Sequence, residues 1–440
     1  MCQAVAYGGA TGFANAMIIN KTAFSTLLLF FAAAAPQLQR GTQWQNEAQA
    51  AVAAMNANDV AARVAALSKL HEDFPENSRV LRNLAWVQQQ AGDLPAATAL
   101  LRQYAAMGLT LPPDGPLYKQ LVAAGVTSKI PQLSQNQLPV RNGERVFTLP
   151  DPDLLIEDIA FDPSSGRHLL TSVRKKKIVS CNEHGDCRDV ITSSPKNQLD
   201  GMLAIHVDAK RKWLWATTAG MEMQEDLRPA SKGKSALLKF DLQTWKLIKR
   251  YEPNDGKEHA LGDMTIASNG DAYVADGDSG DVYVVTHGRD ELEPLVPAGV
   301  FVSPQTPALN DSETALYVPD YSEGIAVIDL ASRKVQWVKA TGPVAFEGID
   351  GLYFSRGALI AVQNGTVPER IVKFRLQGAD AVEGFSVIEA NWPELGDPTH
   401  GTFTGGWFYF IANSGWNRVA EGGKTFTSGS AAEVWRVRLP

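Results

Sequence analysis

The sequence predicts a multidomain chain of α and β parts: a small α-helical repeat domain followed by an all-β six-bladed propeller. Three observations carry that prediction. Residues 43 to about 121 are rich in Ala, Leu and Gln, with few β-branched residues and apolar positions at helical spacing. Two segments within that stretch match at a fixed offset of 34, a period of helix-turn-helix repeats. After Gly143 the texture changes to short strands rich in Val, Tyr, Trp and Ile, parted by Gly, Asp and Asn turns.

At 440 residues the chain is too long for one small core. A net charge of −7 excludes a basic nucleic-acid binder as the default. Small molecules or proteins are the expected partners. The mild acidic excess suits a cation site and plain solubility equally.

Residues 17–36 have the form of a secretory signal peptide. Lys21 is the positive n-region, and Ala23 to Ala35 form a 13-residue, mostly apolar core ending in small residues. An uncleaved anchor is the alternative. Residues 1–16 fit no part of the pattern, so Met17 reads as the start and the preceding stretch as a mis-annotated extension. No later segment is long and apolar enough to span a membrane. A periplasmic or secreted protein is therefore expected. Of the three cysteines, Cys2, Cys181 and Cys187, the last two flank a short turn. A disulfide between them is the first reading. Free thiols, or a metal clip of Cys181, His184 and Cys187, are the alternatives.

The helical repeats are expected over 43–126. At the offset of 34, Ala51 pairs with Ala85, Asn58 with Gly92, Asp59 with Asp93, Ala62 with Ala96 and Leu67 with Leu101. The stretch from Pro75 to Ala97 resembles a tetratricopeptide repeat, with small residues at Ala85 and Ala97 for close helix approach. The first repeat has Ala51 at one of these positions but Arg63 at the other. Such repeats imply a protein partner in their groove; a packing module is the alternative. Residues 127–142 are polar, with two prolines and no period, and read as a linker.

The propeller is expected over 143–440. A phrase of channel residue, apolar triplet and tight turn recurs six times, beginning at Glu157, Asp200, Gly262, Gln305, Asp350 and His400, at offsets of 43, 62, 43, 45 and 50. Spacing near 45 residues with about four strands each means a propeller. The longest offset reflects an insertion around 224–235. The early strand from Glu144 has no blade of its own and is expected to complete the last one, which removes exposed edges.

Propeller topology gathers the starts of the inner strands at one mouth of the channel. That brings together Glu157, Asp263, Gln305, Asp350 and His400, with Asp158, Asp200 and Glu347 close by. Several carboxylates in a narrow mouth raise one another's pKa or recruit a cation. Pairing with Arg418, Lys232 or backbone groups is the plain alternative. Loops after the second strands reach the same face and supply Asp276, Asp278, Asp320, Tyr321, Asn364, Asn413 and Trp416 as candidate contacts to a small polar ligand. Singly, each is as ordinary in a turn.

The phrase Glu157-Asp-Ile-Ala-Phe-Asp-Pro-Ser-Ser-Gly-Arg and the Asp-Gly-Leu at 350–352 resemble the SMP-30/gluconolactonase family. The resemblance implies a six-bladed propeller with one divalent cation, usually calcium, and hydrolysis of lactones or related esters. It implies Glu157 and Asp350 as ligands, with Gln305 where the family has Asn. A second family Asn falls on Gly262, beside Asp263. Calcium suits oxygen ligands, a Gln carbonyl included; ligation by His400 would turn the choice toward a transition metal. In a lactonase the metal would polarise the carbonyl and activate a water, with Asp263 or His400 as general base. No Gly-x-Ser-x-Gly elbow, Gly-x-Gly-x-x-Gly or Walker loop is present. The run from Arg174 to Lys177 reads as a solvated hairpin tip, and Asn364-Gly-Thr366 fits a glycosylation acceptor. The alternative function is a non-catalytic ligand-binding or protein-scaffolding protein.

Overall fold

A computed structural model describes residues 39–439 apart from 58 and 290. The signal segment, its proposed start and Asn58 lie outside the described residues. No helix among the described residues is long and apolar enough to cross a membrane.

Two helical hairpins come first: α1 (Arg40–Asn56) with α2 (Val60–Asp73), then α3 (Ser78–Gln90) with α4 (Leu94–Ala106). The offset of 34 has a local cause. Asp59 and Asp93 each cap a helix, accepting from the backbone N–H of Ala62 (3.1 Å) and Ala96 (2.9 Å). Asn77 caps α3 in the same way through Val80 (3.1 Å). Ala51, Ala85 and Ala97 are fully buried, as close helix packing requires. Arg63 does not enter that interface; its guanidinium turns back to donate to Ala57 O at 2.6 Å, at the end of α1. Gly92 takes φ +83° in the turn between α3 and α4.

A short helix α5 (Pro116–Ala123) follows, and then the stretch read as a linker. That stretch is packed: Ile130 and Leu133 are buried against the helical core, and Val140 pairs with Ala390 at the propeller edge. The two prolines interrupt regular structure there without freeing the chain.

Six sheets then form the ring. Their inner strands are Ile156–Asp162, Gly201–Asp208, Leu261–Ile266, Ala308–Leu309, Ile349–Ser355 and Gly401–Thr404. Blades 1 to 4 carry four antiparallel strands each, and blade 5 gains a fifth, Lys339–Ala340. Blade 6 is closed by the early strand: Glu144–Thr148 pairs with Glu433–Val437, with Glu144 opposite Arg436. Hydrophobic clusters fill the spaces between neighbouring blades, for example Leu169, Ile178, Leu214 and Phe240 between blades 1 and 2. Two long connections leave the ring. In blade 2 it is residues 220–234, and in blade 6 residues 412–432, which hold the small hairpin Val419–Ala420 with Thr425–Phe426.

Cys181 and Cys187 are disulfide-bonded across the outer hairpin of blade 1, so neither is a metal ligand. The basic run is paired: Lys175 contacts Glu225 at 2.6 Å and Lys177 contacts Asp189 at 3.0 Å.

His168 of blade 1 is fully buried among Phe147, Phe161 and Tyr409, and neither ring nitrogen has a hydrogen-bond partner. Burial pushes its pKa down from 6.5 to about 4. A folded value below the unfolded one means that the unfolded chain binds the proton first. Stability from this site is complete above about 6.5 and is lost as pH falls toward about 4. His206 is pushed down to about 4 by the same cause and adds to the slope. Melting temperature measured against pH should therefore fall less steeply in this window for His168→Phe than for the parent. An unchanged slope would place the acid sensitivity elsewhere.

Candidate metal centre at the channel mouth

The inner strands of blades 1, 3 and 5 each begin with a register shift, at 156/159, 261/263 and 349/351. Such a bulge re-aims side chains at the start of a strand, and it falls where Glu157, Asp263 and Asp350 stand. His400 precedes the inner strand of blade 6 directly. The ligand atoms of Glu157, Asp350 and His400 lie within 4.8 Å of one another. All three residues are buried, at 7%, 1% and 1% exposure.

Hydrogen bonds order the cluster. His400 Nδ1 donates to the Glu157 carbonyl at 2.9 Å, and its Nε2 lies 2.6 Å from Asp263 Oδ1. Thr306, which sequence reasoning missed, donates its hydroxyl to Asp263 Oδ1 (2.6 Å), and its Oγ1 is also 2.9 Å from the Asp350 carbonyl. Its only signal was its place beside Gln305. Trp416 Nε1 donates to Glu157 Oε2. Asn364 Nδ2 donates to Asp350 Oδ2 at 2.8 Å, and its carbonyl accepts from Tyr321 at 3.1 Å.

Burial, with Asp350 beside it, pushes the Glu157 carboxyl well above its usual range. Its negative charge is costly there without a neighbouring cation. For His400 burial acts downward, but Asp158, Asp263 and Asp350 outweigh it and hold the ring well above its ordinary value. With Nδ1 on a carbonyl and Nε2 against the Asp263 carboxylate, both ring nitrogens of His400 are engaged. The donors that fit an ion are carboxylate oxygens, Glu157 and Asp350, a hard set of the kind calcium prefers. The residues fit such a cation.

Other sequence candidates are placed differently. Asp158 ties blades 1 and 2, accepting from Ile205 N at 2.8 Å, and burial pushes it up to about 6. Asp200 holds the blade 2 connection through Gln224 (3.0 Å) and Arg228 (2.8 Å). Glu347 accepts from Ser78 at the start of α3. Asp276 and Asp320 are fully buried. Asp276 accepts from Ala260 N at 2.9 Å and faces His259 at 2.7 Å. Asp320 accepts from Val302, Ser303 and Ser322 N at 2.7, 2.8 and 2.9 Å. Asn413 is likewise held by Ala431 O (3.0 Å) and Glu433 N (2.7 Å). The side chains of these three tie loops to incoming strands. Asp278 does line the mouth. Tyr321 and Asn364 stand behind Asp350, and only Trp416 of the aromatic candidates lines the mouth cavity. Gln305 also lines it, with its amide nitrogen turned to Ser303 Oγ at 3.1 Å. Arg418 Nη2 donates to Pro152 O (2.6 Å), and Lys232 pairs with Glu222 (2.5 Å).

The helices reach this site. Arg79 of α3 donates to Gly365 O at 3.0 Å and lies 4.9 Å over the Tyr321 ring. Tyr321 holds Asn364, and Asn364 holds Asp350. Asn77 adds a bond to Ser322 O at 2.6 Å, and Arg370 of blade 5 donates to Met107 O at 2.8 Å. Arg79→Ala should weaken about tenfold the binding of any cation held by Glu157 and Asp350, as loss of a support behind a ligand does. Calorimetric titration of the variant checks this; equal affinity would show that Asp350 needs no brace.

No family model matches the chain, and no curated protein matches it. Solved structures that are similar include a gluconolactonase of Xanthomonas campestris, 16% identical, covering 69% of this chain and 95% of that one, with a TM-score of 0.46. A glucose dehydrogenase is 12% identical over 68% of this chain and 100% of its own, with a TM-score of 0.47. Virginiamycin B lyase of Staphylococcus aureus is 16% identical over 61% and 81%, with a TM-score of 0.42. At these values function rests on the residues themselves.

Proposed function

We propose that this chain is a divalent-cation-dependent hydrolase of small lactones or related esters, acting at the channel mouth. The observation that carries this is one buried cluster joining two oxygen ligands, Glu157 and Asp350, to an Asp263–His400 pair. Glu157 and Asp350 would hold the ion, with the Gln305 amide oxygen as a third ligand. The ion, calcium in this reading, would supply Lewis-acid polarisation and a water of lowered pKa.

The protein's own part is positioning and proton transfer. Both hydrogen bonds to Asp263 fall on Oδ1, which leaves Oδ2 for the cavity that Asp263 lines. Asp263 is therefore the general base, and His400 is its positioning partner: the imidazolium offsets the carboxylate charge and fixes its rotamer. The helices act as a brace on Asp350. The disulfide supports an oxidising compartment and hence export.

Elemental analysis of the purified full chain, followed by lactone hydrolysis with and without EDTA, tests the reading. Bound calcium and hydrolysis abolished by EDTA are expected. Metal-free protein that hydrolyses no lactone would overturn it.

A further inference from the structure

The mouth opens into a cavity of about 110 Å³. Its lining joins Glu157, Asp263 and Gln305 to a set of apolar residues: Leu203, Ala219, Met221, Met223 and Trp416. Met221 and Met223 come from the blade 2 connection, and Gly423 of the blade 6 connection packs against its neighbour Glu222, so two excursions from the ring build this wall together.

The carboxylates of Asp263, Glu258 and Asp278 line the cavity, and the other polar groups along it are already engaged. Trp416 Nε1 donates to Glu157, and Gln305 Nε2 is bonded to Ser303. Both nitrogens of His259 are engaged, one with Asp276 and one with Asp255, each at 2.7 Å. Lys232 at the rim is paired with Glu222. A ligand hydroxyl entering here would exchange water for a wall of carbon and sulfur. Each hydroxyl buried so costs on the order of tenfold in affinity. Each buried methylene gains about fourfold.

From the apolar share of this lining, and the absence of free neutral donors among the groups named, we propose that the cavity takes a small cyclic ester with a short alkyl substituent, in preference to a polyhydroxylated sugar lactone. The reading rests on the hydrolase function above. The volume is of the order that holds a single six-membered ring, so the ring sits against Asp263 and the alkyl chain runs along Met221 and Met223. Methionine adapts its shape to such chains.

The test compares kcat/KM of the full chain with calcium for δ-valerolactone, δ-hexalactone, δ-octalactone and glucono-δ-lactone. Calorimetry of δ-valerolactam and its 6-propyl homologue reads the cavity without turnover. The alkyl series should rise by about fourfold per methylene over the first methylenes, with the sugar lactone lowest. Met221→Ser, on a half-buried side chain, and Met223→Ser should flatten the series. Fastest hydrolysis of glucono-δ-lactone, or equal binding of the two lactams, overturns the proposal. If no lactone is hydrolysed but the propyl lactam binds tighter, the apolar site stands and the hydrolase reading falls.

Discussion

Glu157→Gln is expected to lower calcium affinity on the order of 100-fold while leaving the ring folded. The amide keeps the shape of the carboxylate, and its oxygen can still accept from Trp416 Nε1. What it removes is the negative charge that burial and Asp350 make costly in the absence of an ion. The backbone bonds of Glu157 are untouched: its carbonyl still accepts from Thr399 (2.7 Å) and His400 (2.9 Å). Circular dichroism should therefore match the parent, and calorimetric titration should show the loss. Unchanged calcium content would put the ion somewhere else in the protein.

Asp263→Asn should separate binding from chemistry. Removal of a general base costs about 10²–10⁴ in rate, so kcat for lactone hydrolysis should fall by that much. Calcium affinity should change little, because Asp263 is not among the ligands. The asparagine can still accept from Thr306, but it no longer offsets the imidazolium of His400. Steady-state kinetics with saturating calcium checks this. A rise in KM with kcat preserved would mean that Asp263 holds substrate without taking its proton.

The architecture was legible because its signals are local. Every channel phrase contains or directly precedes an inner strand, except that Gln305 stands in the irregular approach to Ala308–Leu309. The unpaired strand at Glu144 closes the ring as its lack of a blade implied. The paired Asp59 and Asp93 turned out to be helix caps, which explains why the repeat is strict at that position. Arg63, a mismatch in the pattern, faces a helix end and not a helix interface.

The site was legible only in part. Glu157, Asp263, Asp350 and His400 meet as expected. Asp276, Asp320 and Asn413 are the same residue types at similar blade positions, yet their side chains tie loops to the backbone. Whether such a side chain meets a loop N–H or a ligand depends on the path of the next strand, which local sequence does not record. Thr306 and the Arg79–Tyr321–Asn364 support join residues far apart in the chain, so no periodicity could show them.

Blade 6 has a consequence for biosynthesis. Its closing pair joins Glu144 to Arg436, positions 292 residues apart. At ribosomal speeds of about 5–20 residues per second, roughly 15–60 s separate the emergence of the two strands. Throughout that interval the nascent ring has two open sheet edges, and Phe147, which ends up buried, has no Val434 to pack on. The helices appear earlier still, yet their anchors at Ser322, Glu347 and Gly365 arrive only with blades 4 and 5. A chain stopped before residue 433 would keep both edges open and be prone to pair with its neighbours, so the strand Glu433–Val437 decides whether all the earlier ones stay apart from other chains.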